Sequence, residues 1–196
     1  QDAATKALRN GMSLKLLFSQ LTDVRKSVSI PLVLMGYLNP IMHYGFERFC
    51  ADCSRCGIDG MIVPDMPFDD YMNLYKSTAE RYGIKVIMLI TPETSDERIR
   101  LIDDNTDGFI YMVSSASTTG VQKVFDDSKV NYFGRIASMN LRNPRMIGFG
   151  ISNRQTFESS MANASGVIIG SRFVTLLDET RDAVKAITEL KRILAE

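Results

Sequence analysis

Residues 146–174, MIGFGISNRQTFESSMANASGVIIGSRFV, decide the fold class of this chain. They contain two short apolar runs, 146–149 and 167–169, which have the length and composition of buried strands. Each run is followed by a glycine, Gly150 after the first and Gly170 after the second. Glycine lets the backbone approach a ligand closely. The stretch therefore predicts two consecutive strand–glycine turns.

Both turns are followed by the start of a helix. Ser152 and Gln155 have the spacing of a capping box, and Ser171 precedes a helical run over 172–177. A helix N-terminus carries about half a positive charge and unpaired N–H groups. In a β/α barrel, the turns after the last two strands are where a phosphate usually binds. We therefore expect the two turns to bind one small anion, although two ordinary βα turns would give the same pattern.

The rest of the chain repeats the same alternation of strand and helix. The four earlier apolar runs are 30–35, 61–63, 86–90 and 109–113, and they lead into loops that include 36–44 and 114–129. Short, continuous apolar strands are typical of parallel sheets that are buried on both faces. Six strands alternating with helices predict an α/β fold. The long loop over 114–129 is expected to act as a lid.

Two parallel architectures fit six such strands. An open doubly wound sheet needs no more than six, whereas a TIM (β/α)₈ barrel needs eight and typically about 250 residues. The phosphate-type turns lie at the end of the chain, which favours the barrel. We therefore expect residues 1–196 to form a single barrel domain that is incomplete at its N-terminus and lacks about the first two β/α units.

Composition excludes several classes of function. The 23 basic residues balance the 23 acidic ones, which argues against nucleic acid and anionic membranes as partners. No apolar run has the length of a membrane span and no signal peptide is recognised, so the expected location is the cytoplasm.

The cysteines Cys50, Cys53 and Cys56 have a metal-like spacing, but there is no fourth cysteine, and the single histidine, His43, lies outside the run. The two phenylalanines at 46 and 49 and the cysteines at 50 and 53 occupy positions i, i+3, i+4 and i+7. This spacing predicts the buried face of a helix and no metal site.

Five motifs, in this order along the chain, resemble the tryptophan synthase alpha subunit family. They are Tyr37-Leu38-Asn39-Pro40, Val63-Pro64-Asp65-Met66-Pro67, Thr119-Gly120, Gly148-Phe149-Gly150-Ile151-Ser152, and Gly166 to Ser171. The resemblance covers all 196 residues. It implies a lyase of tryptophan and aromatic amino-acid biosynthesis that cleaves indole-3-glycerol phosphate by a retro-aldol reaction. The products are indole and glyceraldehyde 3-phosphate.

The resemblance also implies roles for individual residues. The substrate phosphate is expected on backbone groups of Gly120, Gly150, Gly170 and Ser171. The indole pocket is expected to be lined by Met35, Ile62, Leu89, Tyr111, Phe149 and Ile168. Thr119 belongs to the lid, and Asn39 and Pro67 belong to the face that meets the β subunit. The resemblance implies an α₂β₂ heterotetramer, transfer of indole to the β subunit, and no cofactor on this chain.

The family's catalytic residues have no counterpart in these 196 residues. Cleavage needs a general acid–base and a carboxylate that stabilises positive charge on the indole nitrogen. The family supplies them as a Glu and an Asp that precede the position of Gln1. Asp65 follows a strand and could by its position act as a substitute, but the family does not use that position as its acid–base. We therefore assign no catalytic residue and expect the segment alone to be inactive. The alternatives are a non-catalytic module that binds phosphate and docks the β subunit, or another phosphate-binding barrel isomerase.

Overall fold

The computed structural model describes residues 2–113, 127–148 and 150–195, and within them it contains two compact units. Unit 1 runs through Met88 and includes Thr106–Gly108, and unit 2 comprises Leu89–Asn105 and the described residues from Phe109 onward. None of the helices in these ranges is long and apolar enough to cross a membrane. The expected lid, including Thr119 and Gly120, lies largely outside the described residues, and so does Phe149.

Unit 1 alternates helices with three strands. Its helices are α1 (Asp2–Arg9), α2 (Leu14–Leu21), α3 (Leu38–Tyr44), α4 (Phe46–Arg55), α5 (Phe68–Asp70) and α6 (Lys76–Arg81); a 3₁₀ turn covers Val24–Lys26 and a π-helical turn covers Tyr71–Tyr75. Its strands are β1 (Val33–Met35), β2 (Gly60–Ile62) and β3 (Lys85–Ile87). They pair in parallel in the order β1-β2-β3.

Unit 2 has the same organisation with four strands. The strands are β4 (Leu89–Ile90), β5 (Ile110–Val113), β6 (Arg145–Gly148) and β7 (Gly166–Ile168), and they pair in parallel in sequence order. The helices are α7 (Asp96–Asn105), α8 (Asp127–Ser138), α9 (Arg154–Met161), α10 (Ser171–Thr180) and α11 (Ala183–Ala195). The predicted alternation of helices with parallel strands is thus confirmed in both units.

The three cysteines lie where helical periodicity places them. Cys50 and Cys53 on α4 and Cys56 at its end are buried and unoxidised. Phe49 from the same helix packs edge-on against Phe18 of α2, with ring centroids 5.4 Å apart. Burial raises the pKa of both Cys50 and Cys53 to about 12. These thiols therefore belong to the core of unit 1 and are uncharged at neutral pH.

The segment over 36–44, expected as a loop, is largely helical. Helix α3 begins at Leu38 and contains Pro40 in its first turn, where the missing N–H breaks no helical hydrogen bond. Its N-cap, Tyr37, provides no capping side chain. The cap comes instead from a residue distant in sequence, because the Leu38 amide donates to the Asp65 carboxylate at 2.9 Å. No local pattern could indicate this cap.

Two other local expectations were wrong. The predicted strand over 86–90 is interrupted at Met88, so that its two halves belong to β3 and β4 in different units. Burial on both faces holds for β2 and β5 but not for β1, where Val33 and Met35 are exposed. Continuous apolar sequence alone therefore does not establish that a strand is covered on both faces.

The loop that leads into β6 is fixed by a buried carboxylate. Asp103, 5% exposed at the end of α7, accepts hydrogen bonds from the backbone amides of Arg142 at 2.6 Å and Asn143 at 2.8 Å. The Asn143 side-chain amide donates to the same carboxylate at 2.9 Å. Because Asn143 is buried and both of its donors bond to this carboxylate, Asp103 sets the position at which β6 begins.

Candidate functional site

The two glycine turns leave neighbouring strands at the same level. Gly148 and Ile168, the last residues of β6 and β7, are paired in the parallel ladder. Gly150 and Gly170 each follow two residues later. The sequence predicted both turns, and the strand register places their starting points side by side.

The first turn needs its glycine and already uses two of its amides. Gly150 has a φ of +80°, a conformation that other residues adopt only with strain. Asn153 caps α9 by accepting from the Thr156 amide at 2.9 Å. The Thr156 hydroxyl accepts from the amides of Ser152 at 3.2 Å and Asn153 at 3.3 Å. Those two amides therefore have acceptors within the protein.

This arrangement corrects the expected capping box. The structure uses Asn153 with Thr156 instead of Ser152 with Gln155. Both pairs have the required spacing. The threonine hydroxyl reaches back to two backbone amides, so the observed pair satisfies more of the donors that a helix start leaves unpaired.

The second turn has no side-chain cap. Gly170 is the N-cap of α10, and no capping side-chain hydrogen bond is made there. Both Gly170 and Ser171 are exposed. The Val174 amide makes the first helical hydrogen bond, to the Gly170 carbonyl at 3.0 Å, so the first-turn amides at 171–173 lie outside the helical ladder. The exposed start of a ten-residue helix is thus better suited than the first turn to receive an anion.

Three residues of the expected indole pocket lie on one face of the unit 2 sheet. Leu89 is paired with Tyr111 in the β4–β5 ladder, and Gly148 is paired with both Val113 and Ile168. Paired residues in parallel strands share a face, as do residues two apart on one strand. Leu89, Tyr111 and Ile168 therefore lie on one face of this sheet, and Ile168 is at the carboxyl end of its strand.

The Tyr111 side chain packs closely against the backbone at Gly148. A Cβ atom at Gly148 would lie 2.6 Å from the Tyr111 Cε1 atom and still closer to Cζ and Oη. The Tyr111 ring therefore passes over β6 at the one position where the strand has no side chain. Tyr111 is 3% exposed, and burial raises its pKa to about 12. A buried, neutral tyrosine forms part of this face.

The unit 1 residues of the expected pocket are also paired. Met35 is opposite Ile62 in the β1–β2 ladder. Their environments differ, because Ile62 is 6% exposed and Met35 is 54% exposed. The assignment of both residues to an indole pocket remains a prediction.

The two residues expected to meet the β subunit lie after successive strands of unit 1. Asn39 is exposed in the first turn of α3, and Pro67 is the exposed N-cap of α5. Asp65 lies two residues before Pro67 and accepts from Leu38, one residue before Asn39. Sequence reasoning considered Asp65 only as a substitute catalytic group and missed this structural link.

Comparisons with known proteins agree with these motifs. The family model for the tryptophan synthase alpha chain matches residues 1–196. The tryptophan synthase alpha chain of Bacteroides fragilis is 66% identical over 194 residues, which are 99% of this chain and 74% of that protein. The corresponding protein of Parabacteroides distasonis is 60% identical over 196 residues, 100% of this chain and 76% of that protein.

Solved structures give the same result for the fold. The tryptophan synthase alpha subunit of Pyrococcus furiosus aligns with 100% of this chain and 78% of its own, with a TM-score of 0.87 and 33% identity. The tryptophan synthase complex of that organism contains a chain that aligns with a TM-score of 0.83 and 32% identity, covering 100% of this chain and 77% of that one. These similarities confirm the expected fold class, that of the TIM (β/α)₈ barrels.

Proposed function

The chain belongs to the tryptophan synthase alpha chain family, and from that premise we propose that the protein, as its gene encodes it, cleaves indole-3-glycerol phosphate to indole and glyceraldehyde 3-phosphate. The family is one of lyases in tryptophan biosynthesis. The observation that carries the proposal is the family match over residues 1–196, and the glycine turns that leave β6 and β7 at one level support it.

The phosphate of the substrate binds at the exposed start of α10. Gly170 and Ser171 provide backbone donors there, and the helix N-terminus adds favourable electrostatics. Gly150 completes the site from the neighbouring turn, and the family resemblance adds Gly120. Because Thr156 already accepts from the amides of Ser152 and Asn153, we assign the larger share of phosphate binding to the α10 turn.

The indole ring binds among apolar side chains of the parallel strands. Leu89, Tyr111 and Ile168 share one face of the unit 2 sheet, which supports their assignment. The family resemblance adds Met35, Ile62 and Phe149, and places Thr119 in the loop that closes over the substrate. An aromatic and aliphatic lining suits a flat apolar ring with few polar groups.

Catalysis requires an acid–base group and a carboxylate that the resemblance does not place within these 196 residues. We do not assign Asp65 as a substitute, because the family does not employ that position and Asp65 Oδ1 already accepts from the Leu38 amide. A polypeptide made of these 196 residues alone is therefore expected to bind substrate without cleaving it.

The partner of this chain is the tryptophan synthase β subunit, in an α₂β₂ assembly located in the cytoplasm. The solved Pyrococcus furiosus relative is a tryptophan synthase complex, which supports this partnership. Asn39 and Pro67 contribute to the contact, and indole passes across it. The chain itself needs no cofactor for a retro-aldol cleavage, because acid–base groups and charge stabilisation suffice.

The proposal is tested with the chain as its gene encodes it, supplied with indole-3-glycerol phosphate and with its β subunit. Release of indole is expected, and the 196-residue polypeptide should release none. Binding of the β subunit without any indole release would favour the non-catalytic module. Absence of both would contradict the proposed function and favour a different phosphate-binding barrel.

A charge placed at the start of α10 tests the phosphate site separately. Ser171→Asp puts a carboxylate where the phosphate binds, while an acidic residue in a first helical turn does not destabilise the helix. We expect the KM for indole-3-glycerol phosphate to rise by roughly tenfold or more, because like charges repel at contact distance. Thr175→Asp, one turn later on the same helix and also exposed, is the matched control. Equal effects of the two substitutions would contradict this site.

A further inference from the structure

We propose that Asp65 is a positioning residue for the β-subunit contact, because its carboxylate ties the segment bearing Asn39 to the segment bearing Pro67. This inference rests on the proposed function and extends it to a residue with no contact role assigned above. The link is the hydrogen bond from the Leu38 amide to Asp65 Oδ1, 2.9 Å long. Asn39 follows Leu38 directly, and Pro67 follows Asp65 by two residues.

The hydrogen bond continues the strand register beyond the ends of the strands. Met35 of β1 is paired with Ile62 of β2, and the Gly36 amide donates to the Ile62 carbonyl at 3.1 Å. Leu38 and Asp65 lie 27 residues apart, the same offset as the Met35–Ile62 pair. The Asp65 side chain thus supplies an acceptor where the backbone ladder has already ended. This hydrogen bond holds the segments that follow β1 and β2 in the same register as the strands themselves.

The start of α3 depends on this external acceptor. Its N-cap, Tyr37, contributes no side-chain hydrogen bond, and Pro40 in the first turn has no N–H to offer. The amides of Leu38 and Asn39 are therefore the donors of that turn, and Asp65 accepts from the first. Without this acceptor, the turn that presents Asn39 has one fewer bond to hold it, and ordering it on binding becomes more costly.

The surroundings of Asn39 fit a docking surface. Asn39 and Met42 lie three residues apart on the same side of α3, and Met42 is 46% exposed. Tyr37, immediately before the helix, is 63% exposed. Exposed large apolar side chains beside a polar residue are typical of protein–protein contacts. The occupant is the β subunit, because the resemblance assigns Asn39 and Pro67 to that face.

The test compares two substitutions in the chain as its gene encodes it. Asp65→Asn keeps an oxygen that accepts from the Leu38 amide and removes the charge, whereas Asp65→Ala removes the acceptor. Binding of the β subunit is measured by calorimetric titration. We expect Asp65→Ala to weaken binding by roughly tenfold, the scale of losing one helix cap and reordering a turn. Asp65→Asn should stay within about threefold, because its oxygen still caps the turn.

Amide hydrogen exchange distinguishes positioning from direct contact. In the free α subunit, exchange at Leu38 should accelerate in Asp65→Ala and remain slow in Asp65→Asn. Asp23→Ala, which removes an exposed carboxylate of the same unit that forms an ion pair with Lys26, should change neither measurement. If Asp65→Ala does not fold, Asp65→Glu replaces it, since it keeps the charge but displaces the oxygen.

The outcomes separate this inference from the proposed function. Failure of the unsubstituted chain to bind the β subunit would refute the proposed partnership, and the positioning role with it. Normal binding by Asp65→Ala would overturn the positioning role alone. Equal weakening by Asp65→Ala and Asp65→Asn would also overturn it, because charge would then matter and the hydrogen bond would not.

Discussion

The close contact between Tyr111 and Gly148 gives the sharpest test of the site geometry. A methyl group at position 148 would lie 2.6 Å from Tyr111 Cε1 and closer to two other atoms of the same side chain. All three atoms belong to the rigid phenol group of Tyr111, a residue that is 3% exposed, so none of them is the end of a flexible chain that could move aside. Gly148→Ala must therefore displace the ring or distort β6.

The expected cost follows from that geometry. Overpacking a core usually costs about 1–3 kcal/mol, and a rigid buried ring places this case at the upper end, at about 3 kcal/mol. Gly170→Ala is the matched control, because no described atom lies within 4 Å of its Cβ position and its φ of −101° is open to alanine. Its cost should be no more than about 1 kcal/mol, the usual scale for changing an N-cap residue.

A double-mutant cycle assigns the cost to the ring. Urea unfolding is measured for Gly148→Ala, Tyr111→Ala and the double variant. Tyr111→Ala alone leaves a cavity and should cost about 3–5 kcal/mol. With the ring gone, the added methyl group has room, so the two effects should be non-additive by about 2 kcal/mol or more. Additive costs, or a cost of Gly148→Ala close to that of the control, would refute the reasoning.

The remaining predictions concern buried groups in each unit. Asp103→Ala leaves two backbone amides of the β5–β6 connection without their acceptor and should cost about 2–4 kcal/mol in urea unfolding. The control is Asp104→Ala at the exposed neighbouring position, which should change stability by less than about 0.5 kcal/mol. Equal losses of stability would contradict the role of Asp103 in fixing this connection. Burial raises the pKa of the Cys50 and Cys53 thiols from 9.0 to about 12, so at about pH 8 both should react with a thiol reagent only after unfolding. Because the thiol pKa is higher in the folded state than in the unfolded state, these thiols favour folding below about pH 9, and that contribution to stability is lost as the pH rises toward 12. Fast labelling of the native protein by the thiol reagent would contradict their burial.

Periodicity and turn chemistry determined much of the fold. The alternation of apolar runs with helical segments is local, so the sequence predicted parallel strands joined by helices and the buried face of α4. The glycines that follow β6 and β7 were also recognisable, and so were the motifs that identify the family. Their strand register, which brings the two turns to one level, was decided by pairing between residues about twenty positions apart.

Only the tertiary structure decided which groups complete each local element. Helix α3 was expected as a loop because its cap is Asp65, 27 residues later in the chain. Gly148 was recognised only as part of a strand and of a family motif, whereas its position beneath the Tyr111 ring gives it a packing role that spacing does not reveal. The apolar composition of β1 was plain, but the exposure of Met35 was not. For α3 and Gly148 the deciding partner is distant in sequence, because hydrogen bonds and packing depend on distance in space.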